Sequence, residues 1–291
     1  MSLQFTKMHG AGNDFVMLNG VTQSIDLSAA HYRALADRHF GIGADQILLV
    51  ESPQASDADD IDFRYRIFNA DGNEVEHCGN GARCFVRFVR DQGLTSKRRL
   101  KVKTVNGIVE PELLESGLVR VNMDAPRFEL SEVPFLADGL QAVPSGAGQF
   151  WPLELNGTVR SVAVASMGNP HAVQIVDDVD TAPVLTEGPL TVGHARFPNG
   201  VNAGFMQVVS RTEVRLRVFE RGAGETLACG TGACAAMALG VQLGLLDPVV
   251  RLQARGGELL LEWQGGAQDP IWMSGNAVPV FESTIDPDQL L

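Results

Sequence analysis

Phe68-Asn69-Ala70-Asp71-Gly72-Asn73-Glu74, leading into Cys78-Gly79-Asn80-Gly81-Ala82, decides the reading of this chain, because the pattern occurs twice. The second copy is Phe219-Glu220-Arg221-Gly222-Ala223-Gly224-Glu225, leading into Cys229-Gly230-Thr231-Gly232-Ala233. Phenylalanine, glutamate and cysteine all recur 151 residues further on. Ahead of each copy apolar residues alternate as in a half-buried strand, Phe63, Tyr65 and Ile67 in the first and Val214, Leu216 and Val218 in the second. Behind each copy runs an apolar, helix-like segment, residues 84–89 and 234–239. Two fainter echoes stand 156 residues apart, Gly12-Asn13 with Gly168-Asn169 and Gln46 with Asn202. An internal repeat of this size predicts two related α/β halves, each built as strand, glycine turn, Cys-Gly and helix.

The join falls near Asp124-Ala125-Pro126, which divides the chain into residues 1–123 and 124–276, with 277–291 returning to the first half. Residues 133–148, rich in Pro, Gly and Ala, read as loop, and the proline-bearing residues 181–198 are expected to carry little regular structure.

Composition narrows the function. With 291 residues and 45% hydrophobic content the chain can bury real cores. A net charge of −12 opposes nucleic acid and anionic membrane surfaces as partners. The start, Met1-Ser2-Leu3-Gln4-Phe5-Thr6-Lys7, builds no signal-like apolar stretch, and the apolar run 233–246 is shorter than the about 18 residues of a membrane span. The expectation is a cytoplasmic protein whose four cysteines are thiols rather than staples.

A glycine turn entering a helix leaves backbone N–H groups unpaired and aimed outward, where they favour a carboxylate or a thiolate. The helix end contributes roughly 0.3–1 kcal/mol, and one pKa unit is about 1.36 kcal/mol. The dipole alone therefore shifts a thiol by less than about one unit, so a substrate ammonium or a nearby His or Glu has to help. Two such turns suggest a cleft with Cys78 on one wall and Cys229 on the other. A base on one face of a carbon and an acid on the other is what inversion of a stereocentre needs. Converging N–H groups would hold the charge that develops on the carboxylate, in place of an electron-sink cofactor.

Other chemistry is poorly supported. Cys78 and Cys84 are separated by five residues and Cys229 and Cys234 by four, on runs that read as helix rather than as zinc-ligand clusters. No Cys-x-x-Cys is present. Cys84 and Cys234 read most simply as buried helix residues. Lys97, Lys101 and Lys103 lie on a polar strand with no phosphate cup for pyridoxal phosphate, and Gly41-Ile42-Gly43 is too slight for a dinucleotide site. No metal and no cofactor are expected.

These residues resemble the diaminopimelate epimerase family along nearly the whole chain. The shared segments are Gly10-Ala11-Gly12-Asn13-Asp14-Phe15, Arg38-His39-Phe40-Gly41-Ile42-Gly43-Ala44-Asp45-Gln46, Phe68 to Gly72, Cys78-Gly79-Asn80-Gly81-Ala82-Arg83, Met167-Gly168-Asn169-Pro170-His171, and Glu220 to Thr226 running on to Cys229-Gly230-Thr231-Gly232. The resemblance implies two pseudo-symmetric halves, each a mixed sheet wrapped around a central helix, with the active site in the cleft between them. It implies interconversion of LL- and meso-2,6-diaminopimelate without cofactor. Carried over, Cys78 and Cys229 are the acid–base pair, and His171 and Glu220 assist catalysis. Gly79, Asn80, Gly230 and Thr231 present carboxylate-binding N–H groups. Asn13, Gln46, Asn69, Asn169, Asn202, Glu220 and Arg221 hold the substrate's polar groups. Chemistry agrees with that grip, since Arg221 can take a carboxylate bidentately and Glu220 an ammonium.

On spacing alone, Asn13 and Asn69 also read as turn residues, His171 as a core histidine and Glu220-Arg221 as a surface ion pair. Asn73 stands where the family usually has serine. Trp272 stands where many relatives have a tyrosine at the dimer contact, so a homodimer is expected, with an aromatic retained. A proline or hydroxyproline racemase is the nearest enzymatic alternative, and a thiol- or zinc-binding protein is the alternative outside enzymes. The two cysteine microenvironments look alike in the sequence.

Overall fold

A computed structural model describes residues 2–57, 60–75, 79–105 and 107–291. Cys78 lies outside the described residues, so its expected role receives no geometry. The chain folds as two compact units, Met1–Asn122 with Gly275–Leu291, and Met123–Ser274.

In the first unit the sheet order is Val278–Ile285, Leu3–Gly10, Asn13–Asn19, Gln46–Glu51, Phe63–Asn69, Val102–Thr104, Gly107–Val109, with Glu74–Val75 also paired to Phe63–Asn69. Successive pairings along that order are antiparallel, antiparallel, parallel, antiparallel, parallel and antiparallel. In the second unit the order Gly148–Leu155, Thr158–Ser166, Pro170–Ile175, Asn202–Ser210, Glu213–Glu220, Val249–Ala254, Gly257–Glu262 runs through the same senses. The correspondence reaches the register. Ile47 faces Phe68 in the first unit, and Ala203 faces Phe219 in the second. Phe15 faces Gln46, and His171 faces Asn202. The sequence repeat is thus a repeat of topology, with the halves sharing one mixed-sheet plan.

The period-2 alternation explains the strands. Phe63, Tyr65 and Ile67 are buried while Arg64 and Arg66 between them are only partly so, and Val214, Leu216 and Val218 repeat this on Glu213–Glu220. A helix fills the centre of each unit: α2 (Gly79–Asp91) packs on the strands that begin at Leu3, Asn13 and Gln46, and α4 (Gly230–Gln242) on those that begin at Thr158, Pro170, Asn202 and Glu213. Cys84 and Cys234 are fully buried on these helices. No helix of the described residues is long and apolar enough to cross a membrane. On the outer side of the first sheet lies α1 (Ala29–Ala36), started by a capping box between Ser28 and His31. Its Tyr32 stacks on Phe68 with ring centroids 3.7 Å apart.

One expectation fails. Residues 181–198 were expected to be largely irregular, yet they contain α3 (Val184–Val192), with Pro189 inside it. Tertiary packing overrides the helix-breaking tendency, because Val184 and Val192 sit with Ala203, Phe205 and Phe219 in an apolar cluster. Gly188 lets the helix approach closely, since a Cβ there would lie 2.6 Å from the Phe219 Cβ. Residues 133–148 carry one short strand, Val143–Ser145, but Val133 and Phe135 are buried against Trp151 and Phe197, so this loop seals a core rather than trailing in solvent.

Candidate active site

Cys229 takes the N-cap position of α4 in an extended conformation (φ −116°, ψ 109°) and makes no capping bond. A Ser, Thr or Asp there would stabilise the helix by about 0.5–2 kcal/mol more than a non-capping residue, so the sequence gives up a cap to place a sulfur. The first amide to find a helical acceptor is that of Ala233, bonded to the Cys229 carbonyl at 2.9 Å. The amides of Gly230, Thr231 and Gly232 before it have no helical acceptor.

The sulfur is used elsewhere. Cys229 Sγ–H donates to Glu220 Oε2 at 3.1 Å and lies 3.6 Å from the Thr231 hydroxyl. The other carboxylate oxygen, Glu220 Oε1, accepts from the Thr226 hydroxyl at 2.5 Å. Thr231 Oγ1 accepts from Asn169 Nδ2 at 3.2 Å, and Asn169 Oδ1 is 3.0 Å from His171 Nε2. One polar chain therefore runs Thr226, Glu220, Cys229, Thr231, Asn169, His171. Its electrostatics follow from burial: desolvation, helped by the Glu220 charge, raises the Cys229 thiol well above its ordinary value despite the Thr231 hydroxyl. Desolvation, with Arg221 adding to it, pushes His171 down to about 3. Cys229 is thus held as a thiol beside a proton acceptor, and His171 as a neutral ring. The helix terminus was expected to favour thiolate; burial and Glu220 outweigh it.

Asn202 and Arg221 join this arrangement. The Arg221 backbone N–H donates to Asn202 Oδ1 at 2.9 Å, and its guanidinium donates to the Asn199 carbonyl while the residue stays exposed.

In the first unit, the turn Ala11-Gly12 joins two strands with both residues at positive φ (54° and 84°). That is the backbone sense of a type I′ hairpin turn, and it sets Asn13 at the strand start. Asn80, buried on the first turn of α2, donates Nδ2–H to Asn13 Oδ1 at 3.2 Å. Gln46 donates Nε2–H to Asn69 Oδ1 at 2.9 Å, and its Oε1 is buried with no hydrogen-bond partner among the described residues, an acceptor suited to an ammonium. Gly79 begins α2 and is buried. Asn73, the departure at the turn, is satisfied by Asp71, whose carboxylate accepts its backbone and amide N–H at 2.8 and 3.0 Å.

The expected residues of the second unit (Asn169, His171, Asn202, Glu220, Arg221, Gly230, Thr231 and Cys229) thus lie together, as do Asn13 with Asn80 and Gln46 with Asn69 in the first. Sequence reasoning missed three contributors. Thr226 orients Glu220. Arg83, fully buried, donates to Asn80 Oδ1 at 2.7 Å. Asp45 accepts from Asn13 Nδ2 at 2.9 Å. All three stand inside motif segments, but nothing in their spacing announces these bonds. In the repeat, the position 151 residues before Glu220 is Asn69 and that before Thr226 is Val75, so neither Glu220 nor Thr226 has a like residue in the first copy.

These features define a class first: a two-unit, mixed-sheet α/β protein with a cysteine set at a helix N-terminus. The Bacillus anthracis phenazine biosynthesis protein of the PhzF family shares the fold, with a TM-score of 0.67 at 16% identity over 98% of this chain and 99% of that one. So does an Agrobacterium vitis hydroxyproline epimerase solved with trans-4-hydroxy-L-proline, at 0.64 and 14% identity over 98% and 92%. At the level of sequence, the diaminopimelate epimerase family model matches residues 5–129 and 163–280. The curated Cupriavidus necator protein named diaminopimelate epimerase is 60% identical over 286 residues, 98% of each chain. Its namesake from Albidiferax ferrireducens is 60% identical over 295 residues, the whole of both. The chain belongs to the diaminopimelate epimerase family.

Proposed function

We propose that this protein interconverts LL- and meso-2,6-diaminopimelate without a cofactor, Cys229 and Cys78 serving as the two acid–base thiols at one α-carbon. The observation that carries the reading is the buried Cys229 thiol donating to Glu220 at the start of α4. For Cys229 to act as base, its proton passes to the Glu220 carboxylate, giving a thiolate and a neutral acid. The thiolate takes the α-proton, and the electron pair left on the α-carbon delocalises into the substrate carboxylate. The carbon is then reprotonated from the opposite face by the Cys78 thiol. In the reverse direction Cys229 is already in the donating form. The outward amides at the α4 terminus supply the electrostatic support a carboxylate needs as charge grows on it. His171, neutral, holds Asn169 rather than adding a cation. Arg221 is suited to a substrate carboxylate, and the buried Gln46 oxygen, with no partner among the described residues, to an ammonium.

The reading extends to a cytoplasmic homodimer. A reducing compartment keeps catalytic thiols available. Val280 and Phe281 on the outer strand of the first sheet are 57% and 48% exposed, an apolar edge suited to a second copy, and Trp272 retains an aromatic at the expected contact.

The test is chiral chromatography of LL-diaminopimelate incubated with dialysed protein under reducing conditions, beside L-proline and hydroxyproline. Meso product with both imino acids untouched supports the proposal. Inversion of an imino acid alone would transfer it to the racemase reading, and stoichiometric zinc with no turnover to the metal-binding one.

A further inference from the structure

In the first unit, a run of side chains links two charged residues through two amides. Arg83 donates to Asn80 Oδ1 at 2.7 Å, Asn80 Nδ2 donates to Asn13 Oδ1 at 3.2 Å, and Asn13 Nδ2 donates to Asp45 Oδ2 at 2.9 Å. A guanidinium can only donate and a carboxylate can only accept. An amide can turn over and exchange its two ends. Here each end of the run is chemically one-way, so both amides are forced into one orientation: turning Asn13 would set its oxygen against the Asp45 carboxylate and its NH₂ against the Asn80 NH₂.

The carboxylate end is itself anchored. Asp45 Oδ1 accepts from Arg38 Nη2 at 2.7 Å, and the same guanidinium grips Asp14 with two bonds of 3.0 and 2.7 Å. The Asp14 backbone N–H donates to Asp45 Oδ2 at 3.1 Å, and the Asp45 backbone N–H donates back to Asp14 Oδ1 at 2.8 Å. Lys7 adds a bond to Asp14 at 2.7 Å. Burial opposes charge on Asp14, but Arg38 and Lys7 overcome it and hold this carboxyl well below the usual range, so the anchor is ionised.

We infer that Asp45, held by Arg38, is a positioning residue for substrate binding: it fixes the polarity of the Asn13 amide before the amino-acid substrate arrives. The inference rests on the reading of Asn13 as a substrate-binding residue. A preset amide spares the ligand the cost of ordering it.

The experiment measures kcat, KM and melting temperature for LL-diaminopimelate with Asn13→Ala, Asp45→Asn, Asp45→Glu, Arg38→Gln and the double variant Asn13→Ala/Asp45→Asn. Asp45→Asn makes that end of the run two-way, so the Asn13 amide is held from the Asn80 side alone and loses its fixed acceptor on the other. KM is expected to rise roughly tenfold, the scale of one misplaced hydrogen bond, while kcat changes little. Asp45→Glu, still acceptor-only, recovers most of the loss, and Arg38→Gln moves KM in the same direction as Asp45→Asn. The decisive result is coupling: without the Asn13 amide, Asp45→Asn adds nothing. Additive losses, or a KM unmoved by Asp45→Asn where Asn13→Ala raises it, would overturn the positioning role alone. A KM unmoved by Asn13→Ala would overturn the substrate-binding reading of Asn13 and the inference with it. Both members of the Asp45–Arg38 pair are about half exposed, so its loss alone leaves the melting temperature nearly unchanged.

Discussion

Replacing Glu220 by glutamine removes one charge and almost no volume. Thr226 donates to Oε1 in the parent, and it still finds an oxygen there in the variant, which turns the new NH₂ toward the Cys229 sulfur. The thiol then meets a donor in place of the acceptor 3.1 Å away. Two consequences follow with opposite signs. The Glu220 charge helps raise the Cys229 thiol above its ordinary value, so its removal makes the thiolate easier to form. The carboxylate that would take the thiol proton is gone, so turnover falls. A hydrogen bond to a charged group is worth about 1.5–3 kcal/mol, roughly a 10- to 150-fold effect, while loss of a general base costs about 10²–10⁴. The expected fall in kcat/KM is therefore about 10²-fold or more. It must be equal in both directions, because the equilibrium constant between LL and meso forms is fixed. Turnover is followed by chiral chromatography from each isomer, and thiolate formation by the pH dependence of alkylation at Cys229, read by peptide mass spectrometry. A kcat/KM within threefold of the parent, or an alkylation midpoint that moves up, would refute the role given to Glu220.

His171 occupies the place that Phe15 takes in the first unit, so His171→Phe is expected to fold but lose most activity through Asn169. Burial holds this ring near 3, below its ordinary value of about 6.5. Because the folded state resists protonating this ring, the stability tied to its neutral form is full above about 6.5 and is lost as pH falls toward 3; the variant's melting temperature should fall less over that range, and equal acid sensitivity would contradict the assignment. Thr226→Val copies Val75 at the repeat position and should lower kcat by up to about tenfold, with KM and melting temperature near the parent values; an unchanged kcat would remove Thr226 from the site. Gly188→Ala gains about 1 kcal/mol of helix propensity but sets a methyl 2.6 Å from Phe219, an overpacking cost of about 1–3 kcal/mol. Calorimetry should show a lower melting temperature, and a raised one would mean that α3 yields freely.

The sequence carried the plan of the fold because repeated strands repeat their register: once Phe68 and Phe219 were matched, the pairing of Ile47 with Phe68 implied that of Ala203 with Phe219. Members of the candidate site were legible where the proposed chemistry needs a particular residue type beside a glycine turn, as at Cys229 and Glu220. What stayed hidden was long-range pairing. Nothing local says that Asp45 will bond Asn13, 32 residues away, or that Arg83 will be buried against Asn80. The helix α3 was hidden for a related reason, since Pro183 and Pro189 argue locally against a helix that packing on distant residues such as Ala203, Phe205 and Phe219 stabilises. That Asn69 stands at the repeat position of Glu220 was readable in the sequence, but the effect of Glu220 on Cys229 depends on burial, which composition does not reveal.

The most direct test of two-thiol inversion is the isotope content of the first product formed from LL-diaminopimelate in D₂O, followed by proton NMR in the parent and in the Cys78→Ala and Cys229→Ala variants. Early meso product carrying one α-deuterium, from substrate that remains fully protonated, with inversion abolished in both variants, is the predicted result. Meso product that keeps its α-hydrogen, or inversion that survives loss of either cysteine, would contradict it.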